Sequence, residues 1–231
     1  MPGRARLILG ATLLLSLPRP ASAQELFDQG VFIIARGGAQ TGQAEFAIRS
    51  AAGPEGRRGL LVVATTRTPA REVAFAQEIS DLVPTTFQQT ETVGGRVVRR
   101  VAASLSGRRF SARASSADRD MARELPVRSP FVILGDEDYT AYYFMPRPDS
   151  GVSGPLTVFR TRDLVALNAA VEGLGADTLT VGGRRLACRR YALHLPDEND
   201  RQFWVTDNGT LVQVAVPAAG LTATRAEAPS R

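Results

Sequence analysis

The 231-residue chain is informative first in what it lacks. It contains one cysteine and one histidine, and all 28 of its basic residues are arginine. A single cysteine excludes an internal disulfide, and a single histidine excludes most zinc sites built from protein ligands alone. Without lysine, the chain has no amine side chain for Schiff-base chemistry. With 44% hydrophobic and 22% charged residues, the composition is that of a globular protein and is too polar for many membrane spans.

The first 23 residues have the three parts of an export signal. Two arginines precede an apolar run from Leu7 to Leu17, and Ala21-Ser22-Ala23 fits the rule of small residues before a cleavage site. The run is shorter than the about 20 residues that a membrane-spanning helix needs. We therefore predict cleavage after Ala23, a mature chain that begins at Gln24, and a periplasmic or secreted location.

Cleavage changes the charge of the protein. The mature chain retains 25 arginines against 23 acidic residues, so its net charge is only +2. Nucleic-acid binding needs a strong excess of positive charge, because the phosphate backbone supplies most of the affinity. We expect no nucleic-acid partner.

Most of the mature chain consists of short segments in which apolar and polar residues alternate. Ala44, Phe46 and Ile48 share one side of such a segment, and Gly94-Gly95 separates two others as a hairpin turn would. Helical segments of the kind that connect parallel strands do not occur between them. The pattern predicts a mainly β fold, a strongly curved antiparallel meander that forms an open half-barrel. It predicts one domain over residues 24–221, followed by a disordered tail over residues 222–231.

One segment departs from this alternation. Residues 131–145 read FVILGDEDYTAYYFM, in which Asp136 is a candidate helix cap and four aromatic residues follow at helical spacing. We predict one short central helix here, with a strand as the alternative because aromatic residues also favour sheets.

The residues that carry catalysis in many enzymes are scarce. His194 is the only candidate base, and it lies six residues from Cys188 in one predicted strand, roughly 20 Å away. The chain also lacks the Gly-x-Ser-x-Gly motif of a nucleophile elbow. We interpret His194 as a surface residue and Cys188 as a buried, inert thiol, and we predict that the protein is not an enzyme.

Charged clusters are better explained by structure than by binding. Asp136-Glu137-Asp138 and Asp197-Glu198-Asn199-Asp200 lack the glycine and glutamate spacing of a calcium loop. We predict no metal and no cofactor, and we assign the first cluster to a helix start and the second to a solvated turn. Five arginine doublets, of which Arg99-Arg100 is one, are interpreted as partners of acidic side chains and as edge protection, with an anionic headgroup site as the alternative.

The C-terminal third carries a resemblance to a known superfamily. The pattern Val181-Gly182-Gly183-Arg184-Arg185, then Cys188 to Leu195, then QFWVTDNGTLV from Gln202 to Val212 resembles the end of periplasmic half-barrels. This superfamily includes the lipoprotein-localisation carriers LolA and LolB and uncharacterised exported domains. The resemblance implies a curved sheet whose concave face holds acyl chains or another hydrophobic ligand. It assigns no ligand contact to an individual residue.

Alternation indicates which side chains face the concave side. An open apolar surface of this kind normally marks a binding site. We therefore predict an exported binding module that holds a lipid- or acyl-like ligand, or a protein segment, on this face. A structural or interaction domain of the cell envelope is the alternative, and a carboxylate-dependent hydrolase is the third hypothesis. The predicted groove comprises Phe46, Ile48, Val73, Phe75, Ile79, Phe110, Phe131, Tyr142 and Trp204.

Overall fold

The computed structural model describes residues 25–52, 58–128 and 130–229, and the predicted export signal lies outside them. These residues form a mainly β structure, as the alternation predicts. The strands are β1 (Leu26–Arg36), β2 (Ala39–Ala52), β3 (Arg58–Arg67), β4 (Arg71–Ser80), β5 (Val83–Val93), β6 (Arg96–Ser106), β7 (Arg109–Ser116), β8 (Asp120–Pro126), β9 (Phe131–Leu134), β10 (Ser153–Arg160), β11 (Val165–Val181), β12 (Arg184–His194), β13 (Arg201–Thr206), β14 (Leu211–Val216) and β15 (Leu221–Arg225).

All these strands belong to one sheet. Its order is β8-β7-β6-β5-β4-β3-β2-β1-β15-β14-β13-β12-β11-β10-β9, and every pair is antiparallel except β9 with β10. Strands β8 and β9 are the two edges, so within the described part of the chain the sheet is not closed. We call β2–β8 the N-terminal wing and β9–β14 the C-terminal wing. Strands β1 and β15 join the two wings at the middle of the sheet.

The sheet curls until its two wings face each other. Phe110 of β7 packs edge-on against Phe159 of β10 with ring centroids 4.8 Å apart, although eleven strands lie between β7 and β10 in the sheet order. The concave face carries the inward residues of each strand, and Phe32, Ile48 and Phe110 are completely buried there. This is the half-barrel curvature that the sequence predicts, since twisted strands coil a long sheet.

The interior is filled by a segment that begins in the edge strand β9 and then leaves the sheet. Residues 131–145, which we call the plug segment, comprise β9, a turn and a 3-10 helix at Thr140–Phe144, and none of them is exposed. The plug contacts both wings: Phe131 packs against Phe110 at 5.0 Å, and Tyr142 against Phe203 at 5.5 Å. It covers the concave face with its own aromatic side chains.

The predicted helix is replaced by this shorter 3-10 helix. Asp136 does not cap it: Tyr139 is at the N-cap position without a side-chain cap, and Oδ1 of the preceding Asp138 accepts hydrogen bonds from the backbone N–H of Thr140 at 2.9 Å and from its hydroxyl at 2.6 Å. Glu137 has a φ of 63°, which lies outside the right-handed helical region. A helix therefore cannot run on from Asp136. Of the helices in the described residues, none is long and apolar enough to cross a membrane.

The prediction of a disordered tail from Thr222 is corrected by the position of β15. This strand pairs with β1 on one side and β14 on the other, so it is an interior strand of the sheet. Ala223 and Arg225 are buried, at 0% and 6% exposure. The segment is too short and too polar to show a hydrophobic pattern, and its order comes from pairing on both sides.

Candidate functional site

The nine side chains of the predicted groove are all buried, with exposures of 6% or less. Eight of them belong to the main hydrophobic core. Trp204 does not join them, because it lies in a second cluster with Val181, Cys188, Val212 and Ala215. Trp204 is adjacent to Phe203 in β13, and neighbouring residues of a strand point to opposite faces. The concave face is therefore not an open groove at these positions.

The plug segment explains why this prediction of an open face is wrong. Sequence reasoning expects few helical residues to cover the face, but extended and 3-10 residues cover it instead. Gly135 of the plug lies so close to β4 that a Cβ atom there would be 2.7 Å from Cε1 of Phe75. Thr66 of β3 donates a hydrogen bond of 2.9 Å to the carbonyl oxygen of Glu137. The plug is thus held against the N-terminal wing by close packing and by a buried hydrogen bond.

A large cleft lies at one end of the sheet. It is lined by the start of β1, by Glu45 and Phe46 of β2, by the β13–β14 turn and by residues 225–229, and its volume is about 1020 Å³. We call it the end cleft. Leu26 and Phe27 contribute apolar surface to it, with exposures of 45% and 62%. Phe46 is the one residue of the predicted groove that lines this cleft.

A buried ionic cluster forms one wall of the end cleft. Arg225, at 6% exposure, donates from Nη2 to Oδ2 of Asp28 at 2.5 Å and to the hydroxyl of Tyr143 at 2.9 Å, and from Nε to the carbonyl oxygen of Leu211 at 2.9 Å. The hydroxyl of Tyr143 also donates to Oδ2 of Asp28. Burial raises the pKa of Tyr143, so the phenol stays protonated. The cluster ties β1, β15 and the plug segment together.

The local sequence explains how Arg225 reaches Asp28. Arg225 pairs with Phe32 across β1 and β15, and its guanidinium extends along β1 past Gly30. It lies 5.1 Å from the ring centroid of Phe46, so the guanidinium contacts an aromatic face as well as a carboxylate. A cation held by both groups is stabilised in a position that would otherwise cost desolvation energy.

A second arginine-centred cluster holds the start of β13 to the end of β10. Arg160, whose side chain is 7% exposed, forms ion pairs with Asp163 at 2.5 Å, with Asp197 at 3.0 Å and with Glu198 at 2.7 Å. Arg201 pairs with Glu198 at 2.5 Å. The acidic cluster at Asp197 is an exposed turn, as predicted, but its Glu198 is largely covered and pairs with three arginines, Arg160, Arg162 and Arg201. Because each of these carboxylates faces a cation, the cluster is structural.

His194 is half-exposed and lies between two carboxylates. Its Nε2 is 3.1 Å from Oε2 of Glu172, and its Nδ1 is 3.0 Å from Oδ2 of Asp200. Partial burial lowers the pKa of His194, but the hydrogen bonds to Asp200 and Glu172 outweigh it and raise the pKa above its usual value. Cys188 is buried, as predicted, and burial raises the pKa of its thiol.

The plug segment also brings charge into the interior. Asp138 is completely enclosed, and burial raises its pKa to about 6 against the opposing effect of the hydrogen bonds from Thr140 and Ala141. Burial likewise raises the pKa of Glu137. Within the described residues, no group of three or more His, Cys, Asp or Glu side chains is arranged to hold a metal ion.

Sequence reasoning missed Asp28, Arg225 and the end cleft. Asp28 and Arg225 are adjacent in space only because β1 and β15 pair, and neither residue belongs to a local motif. Arg225 also fell in the segment predicted to be disordered. The one available signal was Leu26-Phe27 near the predicted mature N-terminus, an apolar pair that no alternation pattern explains.

Comparison with known proteins supports the fold more than the function. A family model described as a domain of unknown function, DUF6134, matches residues 140–225, which include the 3-10 helix of the plug and most of the C-terminal wing. No curated protein of similar sequence was found.

Several solved structures are similar to the chain, among them the following two. One is a β-barrel-like protein of the domain of unknown function DUF1849 from Brucella abortus, with 9% identity, a TM-score of 0.51, and coverage of 86% of this chain and 95% of that one. The other is a protein with a YmcC-like fold from Bacteroides fragilis, described as exported, with 10% identity, a TM-score of 0.32, and coverage of 86% and 93%. The first shows that this curled sheet is a known fold.

Proposed function

We propose that the protein is an exported, non-catalytic binding module that holds one lipid- or acyl-like molecule in the end cleft. The observation that carries the proposal is the composition of this cleft: exposed apolar side chains of β1 stand beside Phe46 and a buried ionic cluster. A volume of about 1020 Å³ is at the upper end of the range of small-molecule sites, roughly 300–1000 Å³. An apolar chain would gain by covering Leu26 and Phe27, which water contacts in the free protein.

The ligand is assigned to the end cleft and not to the concave face. The plug segment packs its aromatic residues where a carrier of the half-barrel kind would hold an acyl chain. A ligand there would have to replace Tyr142, which is 2% exposed and packs against Phe203. The end cleft requires no such displacement, because Leu26 and Phe27 already face solvent.

The absence of catalysis in this proposal rests on the environment of His194. Its two ring nitrogens are both within hydrogen-bonding distance of a carboxylate oxygen, so neither is directed at a hydroxyl or a thiol. A base that activates a nucleophile needs that nucleophile within about 3.2 Å.

A fluorescent fatty-acid probe, dansyl-undecanoic acid, tests the proposal directly. We expect the mature protein to raise and blue-shift the probe's emission, because the dansyl group leaves water. Phe27→Asp places a charge on the apolar wall and should weaken binding at least roughly tenfold, since covering one aromatic side chain is worth about 1.5–3 kcal/mol. Phe27 is 62% exposed, so its replacement should leave the fold intact.

Val63→Asp is the matched control. Val63 is 40% exposed on β3 and does not line the end cleft, so this variant should bind the probe as the wild type does. A folded wild-type protein that does not bind the probe would disprove the proposal, as would equal loss of binding in both variants.

An envelope interaction domain without a small ligand is the second candidate function. The observation that favours it is the packed interior, since eight of the nine groove residues contribute to a continuous core. Native mass spectrometry of the exported protein separates the two functions. Co-purified lipid supports the binding module, and its absence together with failure of the probe supports the interaction domain.

A further inference from the structure

The hairpin between β5 and β6 ends in an exposed apolar tip. Six consecutive residues, Val93 to Val98, are exposed, and three of them are valines with exposures of 43% for Val93, 44% for Val97 and 37% for Val98. Gly94 and Gly95 form the turn with φ angles of 57° and 76°. We call residues 93–98 the hairpin tip. It contributes nothing to the core, so packing does not explain its valines.

A break in the strand register presents two of these valines together. Glu91 pairs with Arg99 and Thr92 pairs with Val97, which leaves Val98 as one extra residue on β6. Regular alternation would place neighbouring residues on opposite faces, with one of them directed towards the core side. The bulge and its position beyond the core leave Val97 and Val98 both in solvent.

The hairpin tip is also the start of the most basic part of the chain. Residues 96–128, which we call the arginine arm, contain nine arginines and three acids, a net charge of +6, whereas the mature chain as a whole has +2. Eight of these arginines are exposed. Among the described residues, Arg109 is the only member of the arm with an ion pair, at 2.8 Å to Glu124.

Other charged groups also lie near the hairpin tip. Arg99 donates to the carbonyl oxygens of Thr161 at 2.6 Å and Arg162 at 3.0 Å, while the side chain of Arg162 pairs with Glu198 at 3.0 Å. The turn between β7 and β8, at the same end of the sheet, carries Asp118, Arg119 and Asp120. Glu91 is already engaged by Arg71 at 3.0 Å.

We propose that the hairpin tip docks the protein on an anionic phospholipid surface. Its valines would enter the interface between headgroups and acyl chains, and Arg96 and Arg100 would bind lipid phosphates on either side of them. Arginine suits this role because its planar guanidinium can donate two parallel hydrogen bonds to one phosphate. Apolar side chains flanked by basic ones are the composition of interfacial membrane anchors. The arm's excess of positive charge, unmatched elsewhere in the mature chain, favours a lipid surface over a neutral protein partner.

Vesicle co-sedimentation tests this docking. We expect the mature protein to bind vesicles of 70% phosphatidylcholine and 30% phosphatidylglycerol and to bind pure phosphatidylcholine vesicles at least roughly tenfold more weakly. Binding should fall as NaCl rises from 50 to 300 mM, because salt screens the arginines. Failure to bind the anionic vesicles in 50 mM NaCl would disprove the proposal.

Two double variants separate the apolar and the basic contributions. Val97→Ser/Val98→Ser and Arg96→Glu/Arg100→Glu should each weaken binding at least roughly tenfold, since each removes one of the two contributions. Arg185→Glu/Arg189→Glu makes the same change of charge on exposed arginines of β12 and should bind nearly as the wild type does. Equal loss in the β12 variant would show that total charge, and not the hairpin tip, determines binding.

A tryptophan at the tip reports insertion independently of affinity. Val97→Trp should show a blue shift of emission when anionic vesicles are added, whereas Val63→Trp should show none. Trp204 is 6% exposed and provides a constant background. Retention of polyphosphate by the wild type and by Val97→Ser/Val98→Ser alike, without a blue shift on vesicles, would identify the arm as a polyanion site and overturn the lipid proposal.

Discussion

Three arginines in the C-terminal third of the chain and the arginines of the arginine arm lie in opposite environments. In the C-terminal wing and β15, Arg160, Arg201 and Arg225 are covered and each pairs with at least one carboxylate. In the arginine arm of the N-terminal wing, eight of nine arginines are exposed, and in the described residues only Arg109 has an ion pair. Arginine therefore supports the fold at Arg160, Arg201 and Arg225 and is left accessible in the arginine arm, as it also is at Arg185 and Arg189 of β12. A residue count alone cannot reveal this difference, because it depends on where the acids lie.

The largest difference in the free energy of unfolding is expected between alanine variants of Arg160 and Arg100. Arg160→Ala leaves Asp163, Asp197 and Glu198 without their shared cation, so we expect the free energy of unfolding to fall by about 3 kcal/mol. Arg100→Ala, at an exposed position of the arm, should change it by no more than about 0.5 kcal/mol. Urea denaturation of both variants measures the difference. Equal effects would remove the distinction between the two environments.

The junction of the wings provides the next test. Asp28→Asn keeps the size of the side chain but removes the charge that faces the buried guanidinium of Arg225. We expect the free energy of unfolding to fall by about 2 kcal/mol, because an unpaired buried cation is costly. Asp118→Asn, in the exposed β7–β8 turn, is the control and should be neutral. A stable Asp28→Asn protein would show that the ionic cluster does not hold β1 to β15.

The plug segment carries a charge that should oppose folding at neutral pH. Burial raises the pKa of Asp138 to about 6 from an ordinary value of 3.8, so between these values the folded state binds more protons than the unfolded state. Stability contributed by this group therefore falls as pH rises from about 4 to 6. Asp138→Asn keeps the acceptor for Thr140 without the charge.

We expect Asp138→Asn to gain on the order of 1 to 2 kcal/mol over the wild type between pH 4.5 and pH 7. Urea denaturation at both pH values measures the change, and the contributions of all other groups cancel between the two proteins. A difference that does not depend on pH would contradict the burial of a charged Asp138.

The smallest expected effect on the free energy of unfolding is that of replacing His194. Its pKa is raised in the folded state, so its contribution to stability is present below its ordinary value of 6.5 and is lost as pH rises through the folded value. His194→Gln should therefore be less stable than the wild type at pH 5.5 and nearly equal to it at pH 9. We also predict that binding of the fatty-acid probe is unchanged in this variant, and loss of binding would revive a functional role for the histidine.

Local patterns predicted the features that depend on neighbours in sequence. Gly94-Gly95 and Gly182-Gly183 form turns because all four residues adopt positive φ, which glycine tolerates without strain. Alternation correctly placed Phe46 and Ile48 on the buried side of β2. These features involve contacts within one strand or one hairpin, so the sequence contains their signal.

Features that depend on distant pairing were not predictable. Strand β9 reads Phe-Val-Ile-Leu and is buried on both faces, so it shows no alternation, and β8 is largely exposed, so it shows no apolar face. The closure of the concave face depends on where residues 131–145 lie in space, which no periodicity encodes. The end cleft forms where β1 pairs with β15, the last described strand. The sequence pattern places the residues of these two strands in separate regions of the chain.

Strand β1 can complete its pairing only after β15, the last described strand, has been formed. Residues 32–36 find their partners only at residues 221–225, so this closing ladder has the largest sequence separation in the sheet. If the chain crosses a membrane N-terminus first, as the export signal predicts, β1 emerges early with one side unpaired. The wings can form as local hairpins, but their union must follow release of the final strand. In that case translocation order would be coupled to folding, and the export machinery would encounter β1 with an exposed edge.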